Sequence, residues 1–397
     1  MKRDITIAGQ PENKTGMQKL RVGVLGMGFM GGTHTFAWKN GKSTFNWPCE
    51  VELTALFDMS EDSLTLNGGR FGFGRVTQDW REVTEADDVD VVSICTPNFA
   101  HPEMALSALE HGKHVWCEKP MATSLDDARA MVAAAKASNA KTMLGYNYMK
   151  SPALLAIKRL IDEGTIGDIV HFRGVYAEDF MCDPMAPHSW RLTKAGGGKG
   201  ALGDMGSHQV SMAIWLCGPL RDVAARLQTV HGQRPGPDGE MLAVETDDHF
   251  SAIGSFESGA MFTMHTSWLG QGHKMNLGFE VTGTKGAIIF DQEAMGEFQL
   301  YEMGDRKGGF ADTDRNGFKR VLIGPQHPPF GNFCPAPGHH VGFNEMKVIE
   351  VGEFVRAILE DDQAYPNFAD GLVFEEALQA IQDASEAKVW RTLGGAA

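Results

Sequence analysis

The sequence has no paired cysteine spacing, no long apolar run and no surplus of positive charge. Its six cysteines, at 49, 95, 117, 182, 217 and 334, form no CxxC pair. Cys95 and Cys117 close apolar runs, so the set reads as reduced, mostly buried thiols of a cytoplasmic protein. No window reaches the roughly 18 apolar residues of a membrane span. Residues 1–17 lack the apolar centre of a secretory signal and read as a loose tail or oligomer arm. With 36 basic against 51 acidic residues the net charge is −15, which argues against a nucleic-acid or anionic-membrane partner, since phosphate binding needs clustered Lys and Arg. There is no internal repeat and no long low-complexity stretch.

What is present suits an ordinary globular enzyme. A length of 397 residues exceeds what one core usually holds, so two domains are expected. Up to about residue 148, strand-like runs at 20–25, 51–57, 90–95, 114–117 and 142–147 alternate with helical patterns. One pattern covers 101–112 and stops at Gly112; another covers 124–140, with Ser124 as N-cap and acids in its first turn. This alternation predicts a doubly wound parallel sheet over 18–148. Beyond it come a helix at 152–162, a strand from 168, a glycine-rich loop and helix at 196–217, and strand after strand over 221–302. The segment 304–342 is irregular, and helices return at 344–359 and 370–391. The region 149–397 therefore reads as an α+β domain with a large open, mostly antiparallel sheet, for an α/β chain overall.

Five stretches carry chemistry. Gly26-Met27-Gly28-Phe29-Met30-Gly31 follows a strand and opens a helix, the context in which G-x-G-x-x-G cradles a dinucleotide pyrophosphate. Asp58 ends the next strand, where a carboxylate accepts from ribose hydroxyls and repels a 2′-phosphate, favouring NAD over NADP. It lies 32 positions after Gly26, against about 20 in the usual fingerprint, and the excess around Asn40–Glu50 reads as a loop insertion. Asp58 also reads as a simple turn residue. Thr96, Pro97, Asn98 and His101 lie on a carboxyl-end loop suited to a nicotinamide ribose, or form an ordinary Pro-Asn turn. Glu118-Lys119-Pro120 follows the next sheet strand, placing a lysine at the ligand edge beside a turn open to a cis bond; alone it would read as a surface lysine. Asp204 and His208, at i and i+4 after the glycine-rich loop, project together from one helix face as a carboxylate and a general base, or serve as an N-cap and a packed histidine. His339, His340 and Glu345 do not make a metal site, because adjacent histidines point apart, and they read as a substrate-loop or interface segment.

Together these residues resemble the glucose–fructose oxidoreductase / inositol dehydrogenase / rhizopine-catabolism family. The carriers are GMGFMG, CTPNFAHPEMALSALEHGKHVWCEKPMA, HSWRLTKAGGGKGALGDMGSH and VTGTKGAIIF, and the likeness covers about residues 20–390. FRGVYAEDFMCDPMAPHSWR, GPQHP and the Trp-Pro segment before the second strand look like the branch with levoglucosan and scyllo-inositol/L-glucose dehydrogenases. The resemblance implies a Rossmann domain followed by a substrate-binding and oligomerisation domain, and a dimer or tetramer. It implies an NAD-dependent dehydrogenase that oxidises a ring secondary hydroxyl of a neutral cyclic polyol or sugar. His208 would be the general base with Lys119 and Asp204, and Asn147, Asp179, Trp190 and Arg191 would lie on the substrate side. Relatives often carry Arg after Asn-Tyr; Met149 and Lys150 stand here, which favours an uncharged substrate. A redox-cycling NAD glycosidase and a non-catalytic sugar sensor are the alternatives on the same fold.

Overall fold

The structure is a computed structural model that describes residues 12–304 and 316–394. Most of the expected tail (1–11) and part of the irregular segment (305–315) lie outside the described residues. The chain divides into two compact units. The first comprises 1–150, 331–335 and 341–375; the second comprises 151–330, 336–340 and 376–397.

The first unit is built on β1 (Lys19–Leu25), α1 (Phe29–Phe45), β2 (Glu50–Phe57), α2 (Glu61–Phe71), β3 (Arg75–Thr77), α3 (Arg81–Thr84), β4 (Val91–Ile94), α4 (His101–Glu110), β5 (His114–Cys117), α5 (Leu125–Ala137) and β6 (Thr142–Leu144). Its six strands run parallel in the order β3-β2-β1-β4-β5-β6, so the chain reverses its direction of travel between β1 and β4. In an open parallel sheet a ligand binds at the carboxyl edge of that switch point. β4 is buried at every position and β1 at all but two, as expected of strands covered on both faces. A Cβ on Gly23 would come 2.3 Å from Val83, so α3 can lie against β1 only because glycine stands there.

Local signals set the helices. Ser124 caps α5 by accepting from the Asp127 amide at 3.2 Å, with Asp126 and Asp127 in the first turn and Lys136 in the last. The helix stops at Ala137, short of the expected 140, because Ser138 turns extended. The residues expected as a loop insertion are mostly helix. α1 runs through to Phe45, Asn46 ends it in the left-handed region (φ 52°), and Trp47 folds back onto Gly41, where a Cβ would meet the ring at 2.0 Å. The long spacing from Gly26 to Asp58 is thus taken up by extra helical turns.

The C-terminal helix α9 (Phe343–Glu360) belongs to this unit and packs on α1; a Cβ on Gly352 would lie 2.5 Å from the Phe45 ring. Trp38, Trp116, Phe354 and Leu359 share the resulting core, each contributing about 1.5–3 kcal/mol by burial. Lys14 and Thr15 donate backbone bonds to the Leu359 carbonyl, so the described end of the tail is tied to α9.

The second unit holds α6 (Pro152–Asp162), β7 (Ile169–Ala177), α7 (Lys194–Gly197), a π-helical turn (Leu202–Gly206), α8 (Ser207–Cys217), β8 (Leu220–Gln228), the β9 (Gln233–Pro235) and β10 (Met241–Ala243) hairpin, β11 (His249–Phe256), β12 (Met261–Ser267), β13 (Asn276–Gly283), β14 (Gly286–Asp291), β15 (Glu297–Glu302), β16 (Lys319–Leu322) and β17 (Arg391–Thr392). α10 (Phe368–Ala387) runs from the first unit into the second. Nine strands form one sheet, β16-β15-β14-β13-β7-β12-β11-β8-β17, antiparallel except for β7 with β12. β16 corrects the expectation of an irregular 304–342: it is a four-residue edge strand, mostly exposed and without an alternating apolar pattern to announce it. α8 is buried at ten of its eleven positions, the polar Ser207, His208, Gln209 and Ser211 included. Gln209 fixes its rotation, since its carbonyl accepts from the Thr266 hydroxyl at 2.8 Å.

Candidate active site

Between β1 and α1 the chain turns within Gly26–Gly28. Gly26 has φ +88° and donates to the Phe57 carbonyl at 2.8 Å. A Cβ on Gly31 would lie 1.9 Å from the Gly26 carbonyl oxygen, so that contact admits only glycine. Gly28 is different. It has ordinary φ, a Cβ there would meet nothing within 4 Å, and no side chain caps α1 at this position. The helix therefore presents its first amides over a bare backbone, the arrangement that accepts a phosphate. Phe29 is 75% exposed and stacks on Phe343 with ring centroids 5.3 Å apart.

Asp58 closes this cradle from β2. One carboxylate oxygen accepts from the Met27 amide at 2.7 Å and the other from the Ser60 amide at 2.9 Å. It thus ties the glycine turn to the start of α2 while remaining partly exposed. His101 is fully buried; its ring nitrogens lie 2.9 Å from the Pro120 and Thr96 carbonyls, joining the turns after β4 and β5. Thr96, Pro97 and Asn98 form the first of those turns, and Asn98 starts a single 3₁₀ turn that leads into α4.

Glu118 and Lys119 part company at the end of β5. Lys119 stays partly exposed at the sheet edge, and its bond to Pro120 is cis. The Glu118 carboxylate turns inward, 5% exposed, to His34 at 2.8 Å and to Lys347. Lys347 also reaches Glu350 at 2.7 Å, and His34 stacks on Trp116 at 3.6 Å. Burial pushes the Glu118 carboxyl up, but the Lys347 charge and the His34 hydrogen bond outweigh it and hold it well below the usual carboxylate range. Burial lowers His34 to about 4 and raises Glu350 to about 7. At neutral pH Glu118 and Lys347 are therefore ionised and His34 is neutral.

After β6, Asn147 is 3% exposed, and its side-chain amide nitrogen has no partner among the described residues. A buried donor left open at the same edge as the cradle calls for a ligand acceptor. Lys150, the departure noted in the sequence, is not open. Its ammonium meets Glu353 at 2.5 Å and the Tyr365 carbonyl, with 4% of the residue exposed. The residues of this edge fit a dinucleotide.

In the second unit, Asp204 lies in the π-helical turn and His208 in the first turn of α8. The reading of one regular α-helical face missed the π turn, a local widening frequent at functional sites. His208 is 5% exposed and meets Tyr176 edge-on at 6.2 Å. Arg191, stacked on Trp190 at 4.4 Å, brings its Nε to 3.7 Å from the Asp204 carboxylate. Asp179 pairs with Lys274 at 2.6 Å and accepts from the Gly272 amide, so the structure joins it to the loop before β13.

Residues 20–146 match the family described as "Oxidoreductase family, NAD-binding Rossmann fold", and residues 154–289 match the GFO/IDH/MocA C-terminal domain. Levoglucosan dehydrogenase of Pseudarthrobacter phenanthrenivorans is 36% identical over 389 residues, 94% of this chain and 98% of that protein. The chain belongs to the GFO/IDH/MocA oxidoreductase family. Among solved structures, levoglucosan dehydrogenase in complex with NADH and levoglucosan aligns with TM-score 0.90 at 36% identity, covering 95% of this chain and 100% of that one. An NAD binding oxidoreductase from Klebsiella pneumoniae aligns with TM-score 0.89 at 37% identity, covering 95% and 100%.

The GFO/IDH/MocA assignment covers residues of both units. Among the described residues no group of three or more His, Cys, Asp and Glu could hold a metal ion, and no helix is long and apolar enough to cross a membrane. Glu345 caps α9 by accepting from the Gly342 amide at 2.9 Å, and His340 packs against Gly296. Sequence reasoning missed Lys347 and Glu350. Their signal was available: two opposite charges at i and i+3 amid Met346, Val348, Ile349 and Val351, on a helix otherwise apolar there. It also passed over Asp247 and Asp248, a buried acidic pair leading into β11.

Proposed function

We propose that this protein is an NAD-dependent dehydrogenase that oxidises a ring secondary hydroxyl of a neutral cyclic polyol or sugar to a ketone, of the levoglucosan or inositol type. The end-to-end likeness to levoglucosan dehydrogenase carries the reading. The glycine cradle and Asp58 support the cofactor, and the engaged Lys150 supports an uncharged substrate, because no free ammonium remains there for a phosphate or carboxylate.

In this reading Gly26, Gly28, Phe29, Met30 and Gly31 hold the pyrophosphate, and Asp58 accepts from the adenosine ribose. Thr96, Pro97, Asn98, His101 and Glu118 shape the nicotinamide end, His101 and Glu118 by holding the turns. NAD, when bound, supplies the hydride acceptor. His208 takes the proton from the reacting hydroxyl as general base. Asp204 orients and supports the charge that the imidazole acquires, and Lys119 holds the hydroxyl oxygen and favours its alkoxide character. Asn147, Asp179 and Arg191 contact the substrate. The protein works in the cytoplasm as a dimer or tetramer. Free thiols at all six cysteines agree with the compartment, and the exposed Ile253 and Met261 on neighbouring strands of the large sheet agree with assembly.

The test is substitution of Lys119→Ala and His208→Ala with fold and NADH binding monitored separately. Loss of turnover with both retained supports the assignment, and unchanged turnover contradicts it.

A further inference from the structure

Two adjacent buried aspartates precede β11, and they face different parts of the second unit. Asp247 uses three acceptors on three successive amides. Its Oδ1 accepts from Gly200 at 3.0 Å, its carbonyl from Ala201 at 2.9 Å, and its Oδ2 from Leu202 at 2.8 Å. The chain then enters the π turn that carries Asp204, whose own amide donates to the Gly200 carbonyl at 2.9 Å, and continues into α8 with His208. Gly200 cannot be spaced away, because a Cβ there would lie 2.1 Å from the Asp247 carbonyl oxygen. The flanking residues hold the other end of the same loop. The Thr246 hydroxyl donates to the Arg191 carbonyl at 3.3 Å, the Glu245 amide donates to the Leu192 carbonyl at 2.9 Å, and the Glu245 carboxylate accepts from the Lys194 amide at 2.8 Å.

Asp248, buried still more completely, accepts from the Val230 and His231 amides at 2.6 and 2.9 Å and from the Trp268 indole at 2.7 Å. These three partners lie on the loop after β8 and just after β12, away in sequence from the 191–204 segment that Asp247 and its flanking residues hold. The first amides of a short π turn have no partner within the turn, so an outside acceptor must fix them. A carboxylate does this for two amides with charge-assisted bonds.

We propose that Asp247 is a positioning residue of the dehydrogenase: by fixing the backbone at Gly200–Leu202 it sets where Asp204 and His208 stand, whereas Asp248 only stabilises the fold. The inference rests on the reading of Asp204 and His208 as reacting groups. An amide at position 247 offers one acceptor where two are needed and turns a donor toward a backbone N–H. One end of the π turn then relaxes, and a displacement of the base by about 1 Å lowers turnover of order a hundred-fold.

The experiment compares Asp247→Asn, Asp248→Asn and His208→Ala in the full chain. It reads kcat and KM with NAD and levoglucosan or myo-inositol, NADH binding by fluorescence, urea stability, and hydrogen exchange at 200–208. Asp247→Asn is expected to bind NADH as the parent does, to exchange faster at 200–206, and to lose kcat of order a hundred-fold. Asp248→Asn is expected to lose comparable stability while retaining kcat. Equal loss of kcat in the two variants, or unchanged exchange and kcat in Asp247→Asn, overturns the proposal. If Asp247→Asn does not fold, Asp247→Glu moves both acceptors outward by one methylene, and parental kcat in it overturns the proposal equally. Parental kcat in His208→Ala would refute the reading of the reacting groups, while the exchange comparison would still decide whether Asp247 holds the π turn.

Discussion

Lys347 of α9 pairs with Glu118 at the end of β5, and neither residue is more than 5% exposed. This pair answers why a buried strand ends in two opposite charges. Only Lys119 stays at the ligand edge; Glu118 reaches back to anchor the turn that carries it. Burying both charges together avoids the cost of either alone, and Trp116 lies against the ammonium at 5.2 Å.

Lys347→Met leaves Glu118 buried without its counter-charge and is expected to cost about 3–5 kcal/mol of stability. The double variant Lys347→Met/Glu118→Gln should recover a large part of that loss. Urea titration of the four-member cycle measures the coupling; simple additivity would show that the pair does not act as a unit.

The glycines of the cradle should separate fold from binding. Gly31→Ala forces a Cβ to 1.9 Å from the Gly26 carbonyl and should destabilise the first unit as well as abolish NADH binding. Gly28→Ala meets nothing and should melt with the parent, yet weaken NADH by crowding the phosphate. Thermal melting and fluorescence titration of the two proteins check both outcomes.

Asp58→Ala removes the acceptors of the Met27 and Ser60 amides along with the proposed ribose ligand. Each charged hydrogen bond is worth about 1.5–3 kcal/mol, so KM for NAD should rise about ten-fold or more, while preference for NAD over NADP narrows. Steady-state kinetics with both cofactors give the ratio.

His114 supplies a pH dependence. Its Nδ1 accepts from the Lys141 amide at 2.8 Å, and burial, helped by the Lys141 charge, lowers the imidazole to about 4. The unfolded chain, with an ordinary imidazole near 6.5, binds more protons between those values. Stability is therefore lost as pH falls from 6.5 toward 4. His114→Asn keeps an acceptor and cannot titrate, so it should lose less stability than the parent between about pH 7 and about pH 4.5. Glu350 and Asp247, both raised by burial, act in the opposite sense but equally in the two proteins. Identical pH slopes in urea titrations would contradict the assignment.

The cradle was legible in the sequence because its constraints are local. A left-handed turn and a backbone contact without room for a Cβ demand glycine wherever the rest of the chain goes. Asp58 was legible as an acid ending a strand, although the long spacing suggested a loop where α1 simply continues. Ser124 announced its helix by its own chemistry. The π turn, the Lys347–Glu118 pair and Asp247 were not legible in the same way. Each takes its meaning from a partner far along the chain, and a buried charge looks like a surface charge until that partner is known.

The most direct test of the central claim is a spectrophotometric screen of the purified protein for NADH or NADPH formation from myo-, scyllo- and chiro-inositol, D- and L-glucose, xylose and levoglucosan. NADH formation from NAD with one or more of these, lost in Lys119→Ala, is the predicted result. A protein that binds NADH yet forms none from any of them would contradict the account.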